Sequence, residues 1–107
     1  MKRGELYIAT PPRDYGKPRP VVIVQSDLFL EARDSVTVCL LSSELIDAPL
    51  FRVRVKRAPH NRLKRASDVM ADKLMTLRKE RLGESLGTLS TDELVALDQG
   101  LRRWLAL

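Results

Sequence analysis

The chain has 107 residues, of which 44% are hydrophobic, and its 19 Lys/Arg against 14 Asp/Glu give a formal net charge of +5. This length and composition predict one globular domain, residues 1–107, and exclude a disordered chain. No stretch approaches the roughly 18 consecutive apolar residues of a membrane span, and no apolar segment opens the chain. We therefore expect no membrane span, no signal peptide and a cytoplasmic location. The single cysteine, Cys39, lies in an apolar run and is expected to be a buried hydrophobe rather than a nucleophile.

The positive charge is unevenly distributed. Residues 1–82 contain 17 Lys/Arg against 10 Asp/Glu, whereas residues 83–107 contain 2 against 4. The positive field therefore belongs to the first part of the chain, which indicates a polyanion or an acidic protein as partner.

The first quarter of the chain predicts two strands and a short helical turn. Residues 5–9 are typical of a strand, and residues 10–17 form a loop with Pro-Pro and Gly as breakers. Residues 21–25 predict a second strand that is too uniformly apolar to face water on either side. Ser26 and the aspartate after it are suited to cap a turn over residues 28–32.

The middle of the chain predicts a buried strand and then a basic one. Residues 36–41 form the buried strand, which ends at two serines, and residues 50–55 alternate in polarity. The alternation places Phe51, Val53 and Val55 on one face and Arg52, Arg54 and Lys56 on the other. Residues 52–65 hold seven Lys/Arg and no Asp/Glu, so a basic loop follows this strand.

The last third predicts more strands and one helix. Residues 67–80 indicate a strand pair or one long bent strand, and residues 81–89 a short strand. Ser90 and Glu93 have the spacing of a helix capping box, and leucines then follow at intervals of three and four. Several short strands followed by an amphipathic helix predict a small α+β barrel, mainly β.

Arg19 stands out among the candidate functional residues because it lies between Pro18 and Pro20, at the entry to the second strand. The two prolines stiffen the backbone and favour an extended conformation for the residue before each of them. This arrangement indicates that the position of the guanidinium matters, although a solvated arginine at a strand entry remains an alternative.

The inventory of reactive side chains excludes several mechanisms. One His and one Cys make a nitrogen–sulfur zinc site implausible, and no cofactor is expected. His60 lies in a polar basic loop and is expected to be solvated rather than catalytic. Among reactions on a polyanion, RNA cleavage is compatible with this inventory, because the substrate's own 2′-hydroxyl can attack the adjacent phosphate and no protein nucleophile is required. What remains is positioning, charge stabilisation and proton transfer, and a guanidinium suits the phosphate oxygens.

The run Arg-Pro-Val-Val-Ile-Val-Gln-Ser-Asp from Arg19 resembles the MazF/PemK/Kid group of toxin endoribonucleases. The resemblance continues through residues 2–7, 36–43 and 67–83, in the expected order. It implies an SH3-like β-barrel of the CcdB/MazF type with a C-terminal helix, acting as a homodimer. It also implies metal-independent, sequence-selective cleavage of single-stranded RNA (mRNA foremost) as the toxin of a type II toxin–antitoxin system, with an acidic antitoxin protein as inhibitor.

The same resemblance assigns the candidate catalytic residues. The family's catalytic arginine opens the second strand and falls on Arg19, and its assisting hydroxyl at the end of the third strand falls on Ser42. Many relatives carry Thr where this chain has Ser42. Ser43 is an alternative for the same role, because a shift of one residue exchanges the two faces of a strand.

Further residues are expected to bind RNA. The first loop would contribute Arg13, Tyr15 and Lys17, with Tyr15 stacking on a base, and the basic strand face would contribute Arg52, Arg54 and Lys56. Two other functions stay open at this point: a CcdB-like toxin that binds DNA gyrase, and a basic barrel that binds nucleic acid or protein without catalysis.

Overall fold

A computed structural model describes residues 1–12 and 16–107. Six strands are followed by one helix: β1 (Glu5–Ala9), β2 (Arg19–Ile23), β3 (Ser35–Ser42), β4 (Arg52–Val55), β5 (Ser67–Arg78), β6 (Leu82–Thr88) and α1 (Thr91–Leu105). Short 3-10 turns cover Asp27–Phe29 and Lys79–Arg81. The expected class, mainly β with a C-terminal helix, is confirmed. None of the helices in the described ranges is long and apolar enough to cross a membrane.

The six strands form one antiparallel sheet in the order β4-β5-β3-β2-β1-β6. The sheet is not closed by strand pairing, since β4 and β6 are its two edges, so the expected barrel is an open one. The segment after β4, residues 56–66, reaches β6 instead: the Thr88 amide donates to the His60 carbonyl oxygen over 2.9 Å. We call residues 56–66 the basic loop. It connects the two edges of the sheet with loop hydrogen bonds rather than with a ladder.

The central strands are buried on both faces, as their uninterrupted apolar sequence predicts. Val22 and Leu41 belong to one apolar cluster, whereas Val21 and Leu40 belong to a second one on the opposite face. Helix α1 covers the first cluster with residues that include Leu97. Because both faces of β2 and β3 are covered, polar residues of these two strands can reach solvent mainly at the strand ends. The candidate site lies at one of these ends.

Local signals in the sequence account for most element boundaries. The Ser90 hydroxyl accepts a hydrogen bond from the Glu93 amide over 3.1 Å, and the Glu93 carboxylate accepts one from the Ser90 amide over 2.8 Å. The predicted capping box is thus confirmed. The turn capped by Ser26 is shorter than expected, because it ends at Phe29.

β1 has its predicted bounds, and the other strands begin and end within two residues of theirs. β2 begins at Arg19, two residues earlier than expected, because Ala9 of β1 pairs with it. Residues 67–80 contain one long strand rather than a pair. Cys39 faces Leu74 of this strand whereas Leu41 faces Val69, so extra β5 residues form a bulge between the two pairs.

Candidate active site

A cavity of about 620 Å³ opens where the ends of β2 and β3 meet the basic loop and β6. Five of its described lining residues are basic: Lys17, Arg19, Arg62, Lys64 and Arg65. Apolar side chains also line it, and its volume falls within the roughly 300–1,000 Å³ that is typical of small-molecule sites. The cavity can therefore hold an anionic group together with an apolar or aromatic one.

Arg19 enters this cavity from the first position of β2. Val21 pairs with Leu40 in the antiparallel β2–β3 ladder, so the start of β2 at Arg19 and the end of β3 at Ser42 lie at the same end of the sheet. The Arg19 Nε atom is buried and has no hydrogen-bond acceptor among the described residues. Because buried donors are normally paired, an unpartnered guanidinium nitrogen beside a basic cavity is suited to an anionic ligand.

Both candidate hydroxyl residues, Ser42 and Ser43, line the same cavity. Ser42 is the last residue of β3, and its Oγ atom accepts a hydrogen bond from the Glu44 amide over 3.1 Å. That bond uses a lone pair of the hydroxyl and leaves its proton available for donation. The amide also fixes the position of the Ser42 hydroxyl, and no corresponding contact holds Ser43 among the described residues.

The basic face of β4 lies elsewhere. Arg54 Nε donates to one oxygen of Asp68 over 2.6 Å, and Arg52 Nη1 donates to the other over 3.2 Å. Arg52, Arg54 and Lys56 are not among the residues that line the cavity. Arg52 and Arg54 instead neutralise the buried carboxylate of Asp68, the β5 residue that faces Ser42 across the β3–β5 ladder. That these residues bind RNA stays a prediction.

Asp68 organises the chain just beyond Ser42. Its side chain is 1% exposed and also accepts a hydrogen bond from the Ile46 amide over 3.0 Å, while Arg52 donates to the Glu44 carbonyl oxygen over 3.0 Å. Burial works to raise the pKa of Asp68, but the hydrogen bonds from Arg54, Ile46 and Arg52 outweigh it and hold the pKa below its usual value. The carboxylate is therefore charged at neutral pH and anchors the segment that follows the candidate hydroxyl.

The basic loop is held in place by its own polar side chains. Asn61 is fully buried, and its side chain bonds the backbone of Lys56, Ala58 and Leu63 within the loop. Arg62 adopts a left-handed backbone with φ of 47°. The basic run in the sequence indicates such a loop, but its contact with β6, and hence its place in the cavity wall, depends on the folded sheet.

Other sequence-based candidates lie outside this site. Arg13 and Tyr15 fall outside the described residues. His60 lies 3.6 Å from Glu93, at the start of α1, and is not among the residues that line the cavity. Burial raises the pKa of Cys39 to about 12, which keeps its thiol protonated and inert. Over residues 1–12 and 16–107, no group of three or more His, Cys, Asp or Glu is arranged to hold a metal ion.

Comparison with known proteins identifies the class. Residues 2–105 match the family model of the PemK-like, MazF-like toxins of type II toxin–antitoxin systems. A curated relative, a probable endoribonuclease MazF from Mycolicibacterium smegmatis, is 38% identical over 108 residues, covering 100% of this chain and 98% of the relative. The chain therefore belongs to the PemK/MazF toxin family.

Solved structures show the same fold at lower identity. Mycobacterium tuberculosis toxin MazF-mt6 is 24% identical with a TM-score of 0.83, over 96% of this chain and 97% of that one. A mycobacterial endoribonuclease in complex with its cognate antitoxin is 24% identical with a TM-score of 0.81, over 100% and 96% of the two chains. A MazF from Deinococcus radiodurans is 20% identical with a TM-score of 0.83, over 100% and 97%.

Proposed function

We propose that this chain is a sequence-selective endoribonuclease, the toxin of a toxin–antitoxin pair, and that it cleaves single-stranded RNA in the cytoplasm at the cavity containing Arg19 and Ser42. The observation that carries the proposal is the buried Nε of Arg19, which has no acceptor among the described residues and shares with Ser42 a cavity with five basic side chains. Membership of the PemK/MazF family and the endoribonuclease relative agree with this activity.

The proposed reaction needs no nucleophile from the protein. The 2′-hydroxyl of the nucleotide before the scissile phosphate loses its proton to solvent water as it attacks the phosphorus, and the 5′-oxygen of the next nucleotide leaves and takes up a proton from water. The products are a 2′,3′-cyclic phosphate and a 5′-hydroxyl. Negative charge accumulates on the phosphorane-like transition state, so the largest contribution expected of the protein is a set of preorganised donors.

Arg19 and Ser42 supply these donors. The guanidinium of Arg19 donates to the non-bridging phosphate oxygens from a backbone stiffened by two prolines. It acts by stabilising charge rather than by giving up a proton, because arginine stays protonated in proteins. The Ser42 hydroxyl donates a hydrogen bond to a phosphate oxygen and helps align the 2′-hydroxyl. Lys17, Lys64 and Arg65 attract the neighbouring phosphates.

An acidic antitoxin segment is the expected inhibitor. Antitoxin complexes are known for structural relatives of this chain. A carboxylate-rich segment that covers the cavity would pair with the basic side chains that otherwise bind phosphate. Inhibition should therefore compete with RNA binding and weaken as salt rises.

One substrate tests the chemistry without altering the protein. A single 2′-deoxy nucleotide placed 5′ of the scissile phosphate should abolish cleavage there, while binding changes little because the phosphates remain. Cleavage of the unmodified RNA should persist in EDTA, since no step of the proposed reaction uses a metal ion. Mapping the new ends should show 5′-hydroxyls. A nuclease that uses metal-activated water would instead tolerate the deoxy sugar and fail in EDTA.

A further inference from the structure

Glu84 is the one carboxylate among the described residues that line the cavity, and it shares the wall with five basic side chains. It forms no ion pair with any of them, nor with any other residue in the described ranges. A negative charge beside a phosphate-binding surface weakens the attraction for the RNA backbone. Its place in the cavity is therefore suited to another part of the substrate, one that offers hydrogen-bond donors.

The backbone on both sides of Glu84 is fixed. Arg62 donates from Nη2 to the Ser85 carbonyl oxygen and from Nε to the Leu86 carbonyl oxygen, each over 2.7 Å. On the other side, a Cβ atom at Gly83 would lie 3.3 Å from the Ile8 carbonyl oxygen, so β6 approaches β1 closely there. Glu84 is thus presented by a strand that the basic loop clamps, which favours a defined hydrogen-bond geometry.

The sheet topology separates the backbone of Glu84 from that of Arg19. β6 and β2 lie on opposite sides of β1, and neighbouring strands are about 4.8 Å apart, so their backbones are separated by roughly 10 Å. A general base must lie within about 3 Å of the proton that it removes. A carboxylate two strands away from Arg19 is better placed to contact the base of a nucleotide whose phosphate Arg19 holds.

The wall between the two residues is apolar. Ile8 and Pro20, which pair across β1 and β2, line the cavity together with Leu41, Leu63 and Leu86. Such a surface packs against the face of a nucleobase, while polar groups at its margin read the edge of the base. Glu84 is at this margin and can only accept hydrogen bonds when it is ionised.

We propose that Glu84 determines sequence specificity by accepting hydrogen bonds from N1–H and N2–H of a guanine next to the scissile phosphate. Guanine is the RNA base that presents two adjacent donors on its Watson–Crick edge, so it alone matches both oxygens of a carboxylate. Adenine and cytosine each offer one amino donor beside a ring acceptor, and uracil offers one N–H between two carbonyl oxygens. This inference rests on the proposed function and names the base that the same site selects.

Cleavage-site mapping on mixed RNA tests the assignment with wild type, Glu84→Gln and the matched control Glu80→Gln, an exposed acidic residue outside the cavity. Wild type should cut beside guanine, and inosine at that position, which lacks the 2-amino group, should be cut more slowly. Glu84→Gln presents one acceptor and one donor, so its preference for guanine should fall by about ten- to a hundredfold, with adenine or cytosine gaining. The Glu80→Gln pattern should match wild type.

Binding of non-cleavable 2′-deoxy oligonucleotides, followed by fluorescence anisotropy, separates this inference from the proposed function. If wild type cuts no RNA but binds guanine-containing oligonucleotides more tightly through Glu84, the ribonuclease proposal fails and the guanine contact stands. Identical base preferences for wild type and Glu84→Gln, in cutting and in binding, would overturn the inference. So would complete loss of cleavage by Glu84→Gln with unchanged binding, because that result assigns proton transfer to Glu84.

Discussion

Two prolines flank Arg19, and its Nε atom is buried without an acceptor among the described residues. We predict that Arg19→Ala lowers cleavage by about 10²–10³-fold, the usual effect of removing one preorganised electrostatic donor. Stability should change little, because the guanidinium makes no hydrogen bond within the described chain. Single-turnover cleavage and thermal unfolding measure the two effects, and Arg33→Ala, at an exposed arginine outside this cavity, is the control. A folded Arg19→Ala protein with normal activity would rule out the catalytic assignment.

The two neighbouring serines differ in how they are held. The Glu44 amide donates a hydrogen bond to the Ser42 hydroxyl and fixes its position. Ser42 is the last residue of β3 and lines the same cavity as Arg19. We predict that Ser42→Ala reduces cleavage more than Ser43→Ala does, and that Ser42→Thr is tolerated, since it keeps the hydroxyl. Comparing the cleavage rates of the three variants on one RNA measures this. Greater sensitivity at Ser43 would show that the assisting hydroxyl belongs to the next residue.

Asp68 gives the stability of the protein a dependence on pH. Its pKa is depressed in the folded state, so its contribution is present above the unfolded pKa, about 3.9, and is lost as the pH falls through the lower native value. We predict that Asp68→Asn lowers the free energy of unfolding by about 2 kcal/mol at pH 7. This is below the ~3–5 kcal/mol for breaking a fully buried pair, because Arg54 is 48% exposed.

Urea unfolding of wild type and Asp68→Asn at pH 7 and at pH 3 measures this effect, with the exposed Glu80→Gln as control. The gap in stability between wild type and Asp68→Asn should narrow at the lower pH, because the unfolded carboxylate is then largely protonated whereas folding still favours the charged form. A gap of the same size at both pH values would contradict the charged state assigned to Asp68.

Local sequence patterns predict most elements of this fold, because they depend on neighbours along the chain. The strand at residues 5–9, the buried strand ending at Ser42 and the capping box at Ser90 all follow from polarity and capping chemistry. The bulge in β5 and the order of the strands in the open sheet cannot be predicted from local patterns, since they depend on pairing between strands distant in sequence.

The same distinction applies to the site. Arg19 stands out locally through its two flanking prolines, whereas Ser42 follows only from the family resemblance, and both line the same cavity. The alternation of β4 correctly separates its basic face from its apolar face, but the partner of that face is Asp68, on a strand whose pairing the sequence does not reveal. Nothing in the sequence around Glu84 predicts that it is a functional residue, because its proposed contact with the substrate depends on β6 lying beside the basic loop.

Gly100 lowers the stability of helix α1, because glycine has a lower helix propensity than alanine. A Cβ atom there would lie 3.5 Å from the Ala71 Cβ atom, an ordinary van der Waals contact. We predict that Gly100→Ala raises the free energy of unfolding by about 0.5–1 kcal/mol, the difference in helix propensity between the two residues. Gly87→Ala is the contrasting variant and should destabilise: φ is 135° and a Cβ would collide with the His60 carbonyl oxygen. Chemical denaturation measures both, and a destabilised Gly100→Ala would show that the helix has no room at this position.

The apolar surface of the whole molecule bears on its oligomeric state. The second strand does not contribute to this surface, because Val21, Val22 and Ile23 are fully buried within the chain. Of the described residues, the most exposed large apolar side chains are Leu28, in the turn after β2, and Leu107, just beyond α1; they are 84% and 86% exposed.

We predict a homodimer, because such side chains on a 12.1 kDa chain are more readily covered by a second copy than left in water. Light scattering at micromolar concentration should give twice the chain mass.

Leu28→Ser and Leu107→Ser remove equally exposed side chains at two separate places, so neither should disturb the core. The substitution that lies in the interface should raise the dissociation constant of the dimer, while the other leaves it unchanged. A mass of one chain at micromolar concentration would contradict the dimer, and unchanged dimers in both variants would place the interface on other exposed apolar residues, such as Leu45, Leu50 and Val95.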